Sequence, residues 1–220
     1  MTNVRSMLGK VRLHRPDLKD STIDFYAQET VRKICRQSML LQTEQSFTAS
    51  NGINFISLES ENVDINRVHQ VETLLDNKYV TMKEFNFIDV NGKFNERSQT
   101  GEPGAWAFDL ITNKLMIYPV PNKTYTMKVR YSYVPKGEII NVSLPVDAED
   151  AIIYGTLSEI YLLPGPGMSP QLSQNFNVKF NNEIANLKSI AILGNSGILQ
   201  VKGTPLGGLR DRNTYNPYGW

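Results

Sequence analysis

Residues 147–193 read DAEDAIIYGTLSEIYLLPGPGMSPQLSQNFNVKFNNEIANLKSIAIL, and this stretch decides the fold. The acidic residues at its start favour a helix there, because the positive end of the helix dipole attracts negative charge. The motif Pro164-Gly165-Pro166-Gly167 stops that helix, since proline lacks the amide donor and glycine tolerates turn geometry. The stretch therefore predicts two helices joined by a Pro/Gly-rich turn.

Apolar residues recur at helical spacing in this hairpin and again near the N-terminus. The second helix of the hairpin carries a stripe at intervals of three or four residues, as one helical face does. The first helix is apolar over a wide arc, which indicates packing on more than one side. We predict a helical bundle whose core includes Ile23, Val31, Ile34, Ile152, Leu172, Phe176, Phe180, Ile184 and Leu187.

Two further helices are predicted before residue 42. A short stripe from Val4 to Val11 ends before Pro16, and a longer helix begins near Asp20-Ser21, either of which can cap it. Cys35 lies beside the apolar face of that longer helix. We interpret Cys35 as a small buried residue and not a nucleophile, because no histidine lies in the same helix to activate it.

The apolar period changes at Gln42, where strand-like runs replace helical ones. Asn51-Gly52 between two such runs predicts a hairpin, because both turn residues favour positive φ. Residues 125–133 alternate apolar and polar side chains, which predicts a half-buried antiparallel strand. Further turns are expected at Asp76-Asn77, Thr112-Asn113 and Asn122-Lys123, and an exposed polar loop at 91–103, giving roughly six strands in all.

These patterns divide the chain into four parts. The N-terminal helices of the bundle occupy 1–41, an antiparallel β-domain 42–146, the C-terminal helical hairpin 147–194, and an extended C-terminal arm 195–220. The fold class is therefore α+β, with a bundle of N-terminal and C-terminal helix pairs that the β-region interrupts. The arm is rich in glycine yet carries aromatic residues, which indicates anchors for another chain. The alternative is an arm that folds back on its own domain.

Composition narrows the class of protein. The 220 residues are 40% hydrophobic and 20% charged, as expected for a soluble globular protein. The sequence has no run of about 18 apolar residues that predicts a transmembrane helix, and its first residues lack the apolar core of a signal peptide. A single cysteine excludes an intrachain disulfide framework, so cytoplasmic synthesis is the expectation.

The net charge of +1 conceals a partition along the chain. Residues 1–40 hold eight basic and four acidic residues, residues 41–194 hold twelve and seventeen, and residues 195–220 hold three and one. Basic ends on an acidic middle favour charge complementarity between copies or with a partner. The other interpretation is chance variation across a solvated surface.

Catalytic constellations are missing from the sequence. It contains no GxSxG, GxxxxGK[ST], CxxC or HExxH motif, and its two histidines lie far apart. Paired carboxylates such as Asp147/Asp150 and Glu59/Glu61 are explained by a first helical turn and a charged loop. We therefore predict a protein that is not an enzyme, with no catalytic residues, no cofactor and no metal site.

The order of these elements resembles the head-to-tail adaptor, or ring, proteins of tailed bacteriophages, especially the tail tubular protein A type of short-tailed phages. The resemblance spans residues 1–193. It rests on VRKICRQSMLLQTEQSFTASNGINFISLE, on KLMIYPVPNKTYTMKVRYSYVPKG, and on the helices AEDAIIYGTLSEIYLLPG and QNFNVKFNNEIANLKSIA. Order and spacing carry the resemblance, and no single motif is diagnostic. Residues 60–100 match the family less well.

This resemblance implies a structural virion protein of the neck. Copies form a ring, commonly of twelve, beneath the portal protein; they contact a tail tube or nozzle protein and surround a channel for double-stranded DNA without specific binding. It also implies an arm that docks on the portal, for which we expect Leu206, Leu209, Arg210, Arg212, Tyr215, Tyr218 and Trp220. Arg5, Lys10, Arg12 and Arg15 are expected to contact acidic neighbours more than DNA.

Two other classes compete with an adaptor. A tail-associated cell-wall hydrolase needs a carboxylate pair or a metal site, and the sequence offers no evident one. A carbohydrate-binding module needs an aromatic platform, for which Trp106, Tyr118 and Tyr131 are the candidates. The terminal helices and the long arm argue against such a module.

Overall fold

The computed structural model describes residues 2–58, 62–85, 99–139 and 143–195. Within these ranges the protein is a mixed α+β structure with four α-helices and several antiparallel sheets. The helices are α1 Val4–Arg12, α2 Asp20–Ser38, α3 Glu149–Ile160 and α4 Pro170–Asn195. The predicted Pro/Gly-rich turn between α3 and α4 is confirmed.

Each helix lies where its apolar spacing predicts, but the predicted cap of α2 is wrong. The N-cap residue of α2 is Lys19, and no side chain caps it. Asp20 instead lies in the first turn, where its charge suits the helix dipole. The breadth of the apolar arc on α3 is confirmed, because Ala151, Ile152, Leu157 and Ile160 are all buried although they point in different directions.

All four helices contribute side chains to one hydrophobic cluster. Val4 and Val11 come from α1, and residues of α2 and α4 pack with them around α3. Val134 and Ile139, which belong to the β-region, join the same cluster. The first and last helices of the described residues therefore share a core, and the free energy of burying it depends on segments far apart in the sequence.

Twelve short strands lie in the described residues, more than the roughly six predicted. Eight of them form two four-stranded sheets, in the orders β2-β11-β4-β5 and β3-β9-β8-β6. The strands are β1 Thr2–Asn3, β2 Gln42–Ala49, β3 Phe55–Ser57, β4 Val63–Leu75, β5 Lys78–Thr81, β6 Lys83–Glu84, β7 Thr100–Gly101, β8 Ala105–Asp109, β9 Lys114–Tyr118, β10 Val120–Pro121, β11 Tyr125–Pro135 and β12 Ser143–Leu144.

The two four-stranded sheets share a second core. Val71, Met127 and Val129 of the first sheet cluster with Trp106 and Leu115 of the second. The alternation predicted for residues 125–133 holds from Tyr125 to Tyr131. It then shifts at a β-bulge between Ser132 and Tyr133, where β4 and β11 change register. Ser132 is consequently buried and Tyr133 only half-buried, the reverse of the prediction.

The hairpin predicted at Asn51-Gly52 is wrong. Strand β2 pairs with β11 and β3 pairs with β9, so the chain crosses from one sheet to the other at this turn. Gly52 has a φ of 74°, and its amide donates to the carbonyl oxygen of Pro121 (2.8 Å). Gly52 therefore has the positive φ that was predicted. Its hydrogen bond to Pro121, far along the chain, directs the next strand, β3, to a different sheet from β2.

Two other predicted hairpins are confirmed. Strands β4 and β5 pair around Asp76 and Asn77, which both have positive φ, and β8 and β9 pair around Asn113, whose φ is 51°. In the predicted loop at 91–103, Thr100 and Gly101 form a strand that pairs with β10 in parallel. Residues 91–98 of that loop lie outside the described residues, as do 86–90 of the predicted strand segment before it.

Strand β1, at the chain start, pairs with β12, which directly precedes the helices α3 and α4. The partners are Thr2 with Leu144 and Asn3 with Ser143, in antiparallel register. The pairing holds the start of α1 beside the segment that leads into α3. Two-residue strands have no periodicity, so the sequence gives no sign of this connection.

Candidate functional site

The residues predicted for the bundle core lie almost entirely inside the helical cluster. Ile152, Phe180, Ile184 and Leu187 are buried in it, as are the three predicted residues of α2. Phe176 is half-buried against the cluster. Leu172 differs from the prediction, because 41% of its surface is exposed.

The exposure of Leu172 follows from helix geometry. With 3.6 residues per turn, a step of four residues overshoots a full turn by about 40°, so two steps from Phe180 back to Leu172 rotate it about 80° off the buried face. Ser173 takes the buried position instead. Its hydroxyl donates to the carbonyl oxygen of Ser158 at 2.6 Å, which ties the start of α4 to α3.

Arg15, between α1 and α2, is a fully buried charged residue. Its Nη1 donates to the carbonyl oxygen of Ile160 at 2.6 Å and to that of Leu163 at 3.4 Å. The last carbonyls of a helix lack intrahelical donors and carry the negative end of the dipole. Since α3 has no basic residue in its own last turn, Arg15 caps α3 from the other end of the chain.

Asp17 holds the same guanidinium through two parallel hydrogen bonds. Nε and Nη2 of Arg15 donate to Oδ1 and Oδ2 of Asp17, both at 2.8 Å. The hydrogen bond from Arg15 holds the pKa of Asp17 below its usual value, and the same bond raises the pKa of Arg15. Both groups therefore remain charged, and the burial of Arg15 is compensated by a carboxylate and two carbonyls.

The glycines of the Pro164–Gly167 turn leave room for this pair. A Cβ on Gly167 would lie 2.7 Å from both Cδ and Nε of Arg15, and a Cβ on Gly165 would lie 2.9 Å from Oδ2 of Asp17. Gly165 also has a φ of 144°, a backbone conformation that residues with a side chain rarely adopt. We call Arg15, Asp17 and the turn 164–167 the clamp. It joins the α1–α2 connection to the α3–α4 connection.

Four aromatic rings lie beside the clamp. Phe176 stacks on Tyr161 with centroids 5.7 Å apart and on Tyr154 at 6.1 Å, while His14 meets its edge at 5.8 Å. The Nζ of Lys179 lies 5.4 Å from the Tyr154 centroid and 5.5 Å from that of Phe176. Aromatic stacking and cation–π contacts thus pack Phe176 and Lys179 of α4 against rings of α3 and of the residue that follows it.

Three of the four basic residues named near the N-terminus, Lys10, Arg12 and Arg15, contact acidic partners as predicted. Nζ of Lys10 lies 2.6 Å from Oε1 of Glu149, and Nη2 of Arg12 lies 2.7 Å from Oδ2 of Asp20. The hydrogen bond to Glu149 raises the pKa of Lys10 above its usual value. With Arg15 engaged in the clamp, these three cations all have acidic partners within the chain.

Two exposed apolar surfaces stand out in the described residues. The first is the tip of the β8–β9 hairpin, where Leu110 is 59% and Ile111 93% exposed. The second is a group of exposed residues from the two helix connections and the first turn of α4, namely Leu13, Leu162, Met168 and Leu172. Scattered exposed apolar residues need no explanation, but groups of them often mark interaction sites.

Other sites raised by the sequence do not assemble in the described residues. Trp106 and Tyr131 are buried and Tyr118 is half-buried. These three residues therefore do not form the exposed aromatic platform that a carbohydrate-binding module needs. Cys35 is buried as predicted, and burial raises the pKa of its thiol to about 12. Across the described ranges no cluster of three metal-ligating side chains occurs. No helix in them has the length and apolar character needed to cross a membrane.

The predicted portal-docking residues lie outside the described residues. These are Leu206, Leu209, Arg210, Arg212, Tyr215, Tyr218 and Trp220. Sequence reasoning missed the hydrogen bonds from Arg15 to the end of α3 and the exposed apolar tip of the β8–β9 hairpin. The sequence did contain two signs of the clamp. The last turn of α3 has no basic residue, and Arg15 lies between a histidine and a proline in the connection between two predicted helices.

A search among curated proteins found no match to this chain. The family model described as SU10 adaptor protein matches residues 2–198, which includes every helix and strand of the structure. The family consists of structural adaptor proteins of phages, components of the virion neck that are generally not enzymes. With nearly its whole length matched, the chain belongs to the SU10 adaptor protein family.

Proposed function

We propose that this protein is the head-to-tail adaptor that forms a ring under the portal, connects the capsid to the tail and continues the DNA channel. The observation that carries the proposal is the family match over residues 2–198. The finer resemblance, to the tail tubular protein A type, is part of the proposal. So is the bundle of N-terminal and C-terminal helix pairs, which is supported by the single core that all four helices share.

In the proposed ring, about twelve copies stand side by side through their helical bundles, an oligomer of the closed cyclic kind common among homo-oligomers. The β-region faces outward or towards the tail tube or nozzle protein. The isolated chain is monomeric or weakly associated, and the portal protein acts as the template. The motive is the sequence of the predicted arm at 195–220, which is rich in glycine and carries aromatic residues suited to anchoring on a partner.

The arm is the proposed portal-docking element. Its aromatic residues bury large areas when they enter pockets, and Arg210 and Arg212 can each form two parallel hydrogen bonds with a carboxylate. Double-stranded DNA passes through the channel without specific binding. This part of the proposal is supported by the acidic partners of Lys10 and Arg12, because these carboxylates compete with DNA phosphates for the two cations.

Deletion of residues 195–220 tests the docking role. The thermal melting of the body should stay nearly unchanged, because the cores of the described residues lie upstream of the arm. Binding to purified portal protein, followed by size-exclusion chromatography with light scattering, should be lost. A full-length variant with Tyr215, Tyr218 and Trp220 changed to serine should behave like the deletion.

The matched control replaces Asn213 and Asn216 by serine, which keeps arm length and polarity and removes no aromatic anchor. This control should bind portal as the unmodified chain does. If the deletion variant binds portal with unchanged affinity, docking lies in the helical body and the arm assignment is wrong. A stable ring of the isolated chain in dilute solution would contradict templating by the portal.

A further inference from the structure

The turn Asn51-Gly52, where the chain passes from β2 to β3, joins an exposed asparagine to a glycine. In such a pair the backbone nitrogen of the glycine can attack Cγ of the asparagine, because glycine has no side chain to hinder the approach. A nitrogen–carbon bond forms and closes a succinimide ring, while the side-chain amino group leaves with the amide proton as ammonia. Water then opens the ring to aspartate or isoaspartate. Asn51 therefore has the sequence and the exposure of a deamidation site.

The fold occupies the nitrogen atom that this reaction needs. The amide of Gly52 donates to the carbonyl oxygen of Pro121 at 2.8 Å, a distance typical of a well-formed backbone hydrogen bond. To attack, the nitrogen must lose its proton and turn towards Cγ of Asn51. Both steps require this hydrogen bond to break, so the bond separates the exposed side chain from the reaction that its sequence permits.

We propose that Asn51 is a deamidation site that the fold keeps closed through the hydrogen bond from Gly52 to Pro121. The site opens when the turn separates from β10, the strand that holds Pro121. The reaction takes only water as a co-reactant and needs no enzyme. The inference does not rest on the adaptor function and is tested separately from it.

Contacts on both sides keep this hydrogen bond in place. Gly52 has a φ of 74°, which glycine adopts without strain. Pro121 pairs with Gly101 of β7, and the hydroxyl of Tyr125 donates to Oδ1 of Asn122, the residue after Pro121, at 2.7 Å. The donor and the acceptor are thus each held by local structure, and the bond breaks through local unfolding of the turn.

Deamidation at this position would alter the crossover between the two four-stranded sheets. Aspartate adds a negative charge, and isoaspartate also routes the main chain through the former side chain, which lengthens the crossover by one carbon atom. Strand β2 pairs with β11 and β3 pairs with β9, so the altered crossover joins two separate pairings. The hydrogen bond at Gly52 therefore protects the geometry of this junction.

Two measurements report the same opening of the turn. Exchange of the Gly52 amide hydrogen with solvent also requires the bond to break, so its slowing in the native protein measures the opening. Deamidation of Asn51, followed by peptide mapping and mass spectrometry in mildly alkaline buffer, should be slowed at least as much relative to the guanidinium-unfolded chain. We expect at least a tenfold slowing, with Asn91-Gly92 as the rate standard in the unfolded chain. Equal rates in the two states, or deamidation slowed less than exchange, overturn the inference.

Two variants loosen the acceptor without changing the reacting pair. Asn122→Ala and Tyr125→Phe each remove the side-chain hydrogen bond beside Pro121, and each should raise amide exchange and deamidation at the turn by similar, several-fold factors. The matched control Thr112→Ala removes a hydroxyl bond to Asp109 in the β8–β9 turn and should leave both rates unchanged. Deamidation that rises in neither variant, or rises equally in the control, overturns the inference.

Discussion

Gly155 of α3 lies in close contact with both α2 and α4, and replacing it by alanine tests the packing of the helical core. A Cβ there would lie 2.5 Å from Cγ2 of Thr30 on α2 and 2.8 Å from two ring carbons of Phe180 on α4. Both neighbours are buried, and neither is the free end of a flexible side chain. The close approach therefore requires a glycine.

The effect of Gly155→Ala is a difference between two opposing contributions. Alanine favours the helical state over glycine by about 1 kcal/mol at an interior position. Overpacking a tight core costs about 1–3 kcal/mol, and two contacts below 3 Å place this site at the upper end. We expect a net loss of roughly 1–2 kcal/mol in the free energy of unfolding. For a chain of this size that lowers the melting temperature by about 2–8 °C.

Gly9→Ala is the matched control for this change. Gly9 lies in the helix α1, and a Cβ there would meet no atom within 4 Å. The control should stabilise the protein by about 0.5–1 kcal/mol through helix propensity alone. Thr30→Ser, which removes Cγ2, should recover part of the loss when combined with Gly155→Ala. Urea unfolding followed by circular dichroism measures the free energy of unfolding of these three variants and of the unmodified chain. Equal stabilisation by the two alanines would refute the three-helix contact.

Three further changes test the core, the clamp and the thiol. Phe180→Ala should lower the free energy of unfolding by about 3–5 kcal/mol, because it removes a buried ring. Lys179→Ala should lower it by only about 0.5–1 kcal/mol, through the lost cation–π contact. Equal losses in thermal melts would contradict the assigned helix faces. Gly167→Ala should cost about 1–3 kcal/mol by displacing Arg15, while Gly104→Ala, with nothing within 4 Å, should be near neutral in the same melts. Burial raises the pKa of the Cys35 thiol from 9.0 to about 12, so its contribution to the free energy of unfolding is complete below pH 9 and is lost as pH rises from 9 to 12. Urea titrations across that range should show this loss of stability in the unmodified chain and not in Cys35→Ala.

The sequence predicted the helices well because their signal is local. The stripe from Phe176 to Leu187 and the spacing from Val4 to Val11 each repeat over several turns, and the proline–glycine turn gives an unambiguous end. Turns with positive φ at Asp76-Asn77 and Asn113 were equally local, since asparagine and aspartate tolerate that conformation at little cost. In each case neighbours in the chain determine the structure.

Strand partners could not be predicted from the same kind of signal. Asn51-Gly52 has the composition of a hairpin turn, yet β2 gains a longer and better-buried partner in β11, with eight paired positions. The exposure of Leu172 was missed for a related reason, because a strict four-residue step drifts around the helix and only the packed neighbour α3 shows which residue faces inward. Long-range contacts decide between local patterns that look equivalent.

The contacts between the two chain ends bear on the charge partition seen in the sequence. Lys10 pairs with Glu149 and Lys33 with Glu159, so basic residues of α1 and α2 meet acidic residues of α3 within one chain. Arg15 caps the same helix, and β1 pairs with β12 just before it. Part of the complementarity that could have served neighbouring copies is therefore used inside each copy. The partition of charge along the sequence is thus explained in part by ion pairs within a single chain, without a second copy.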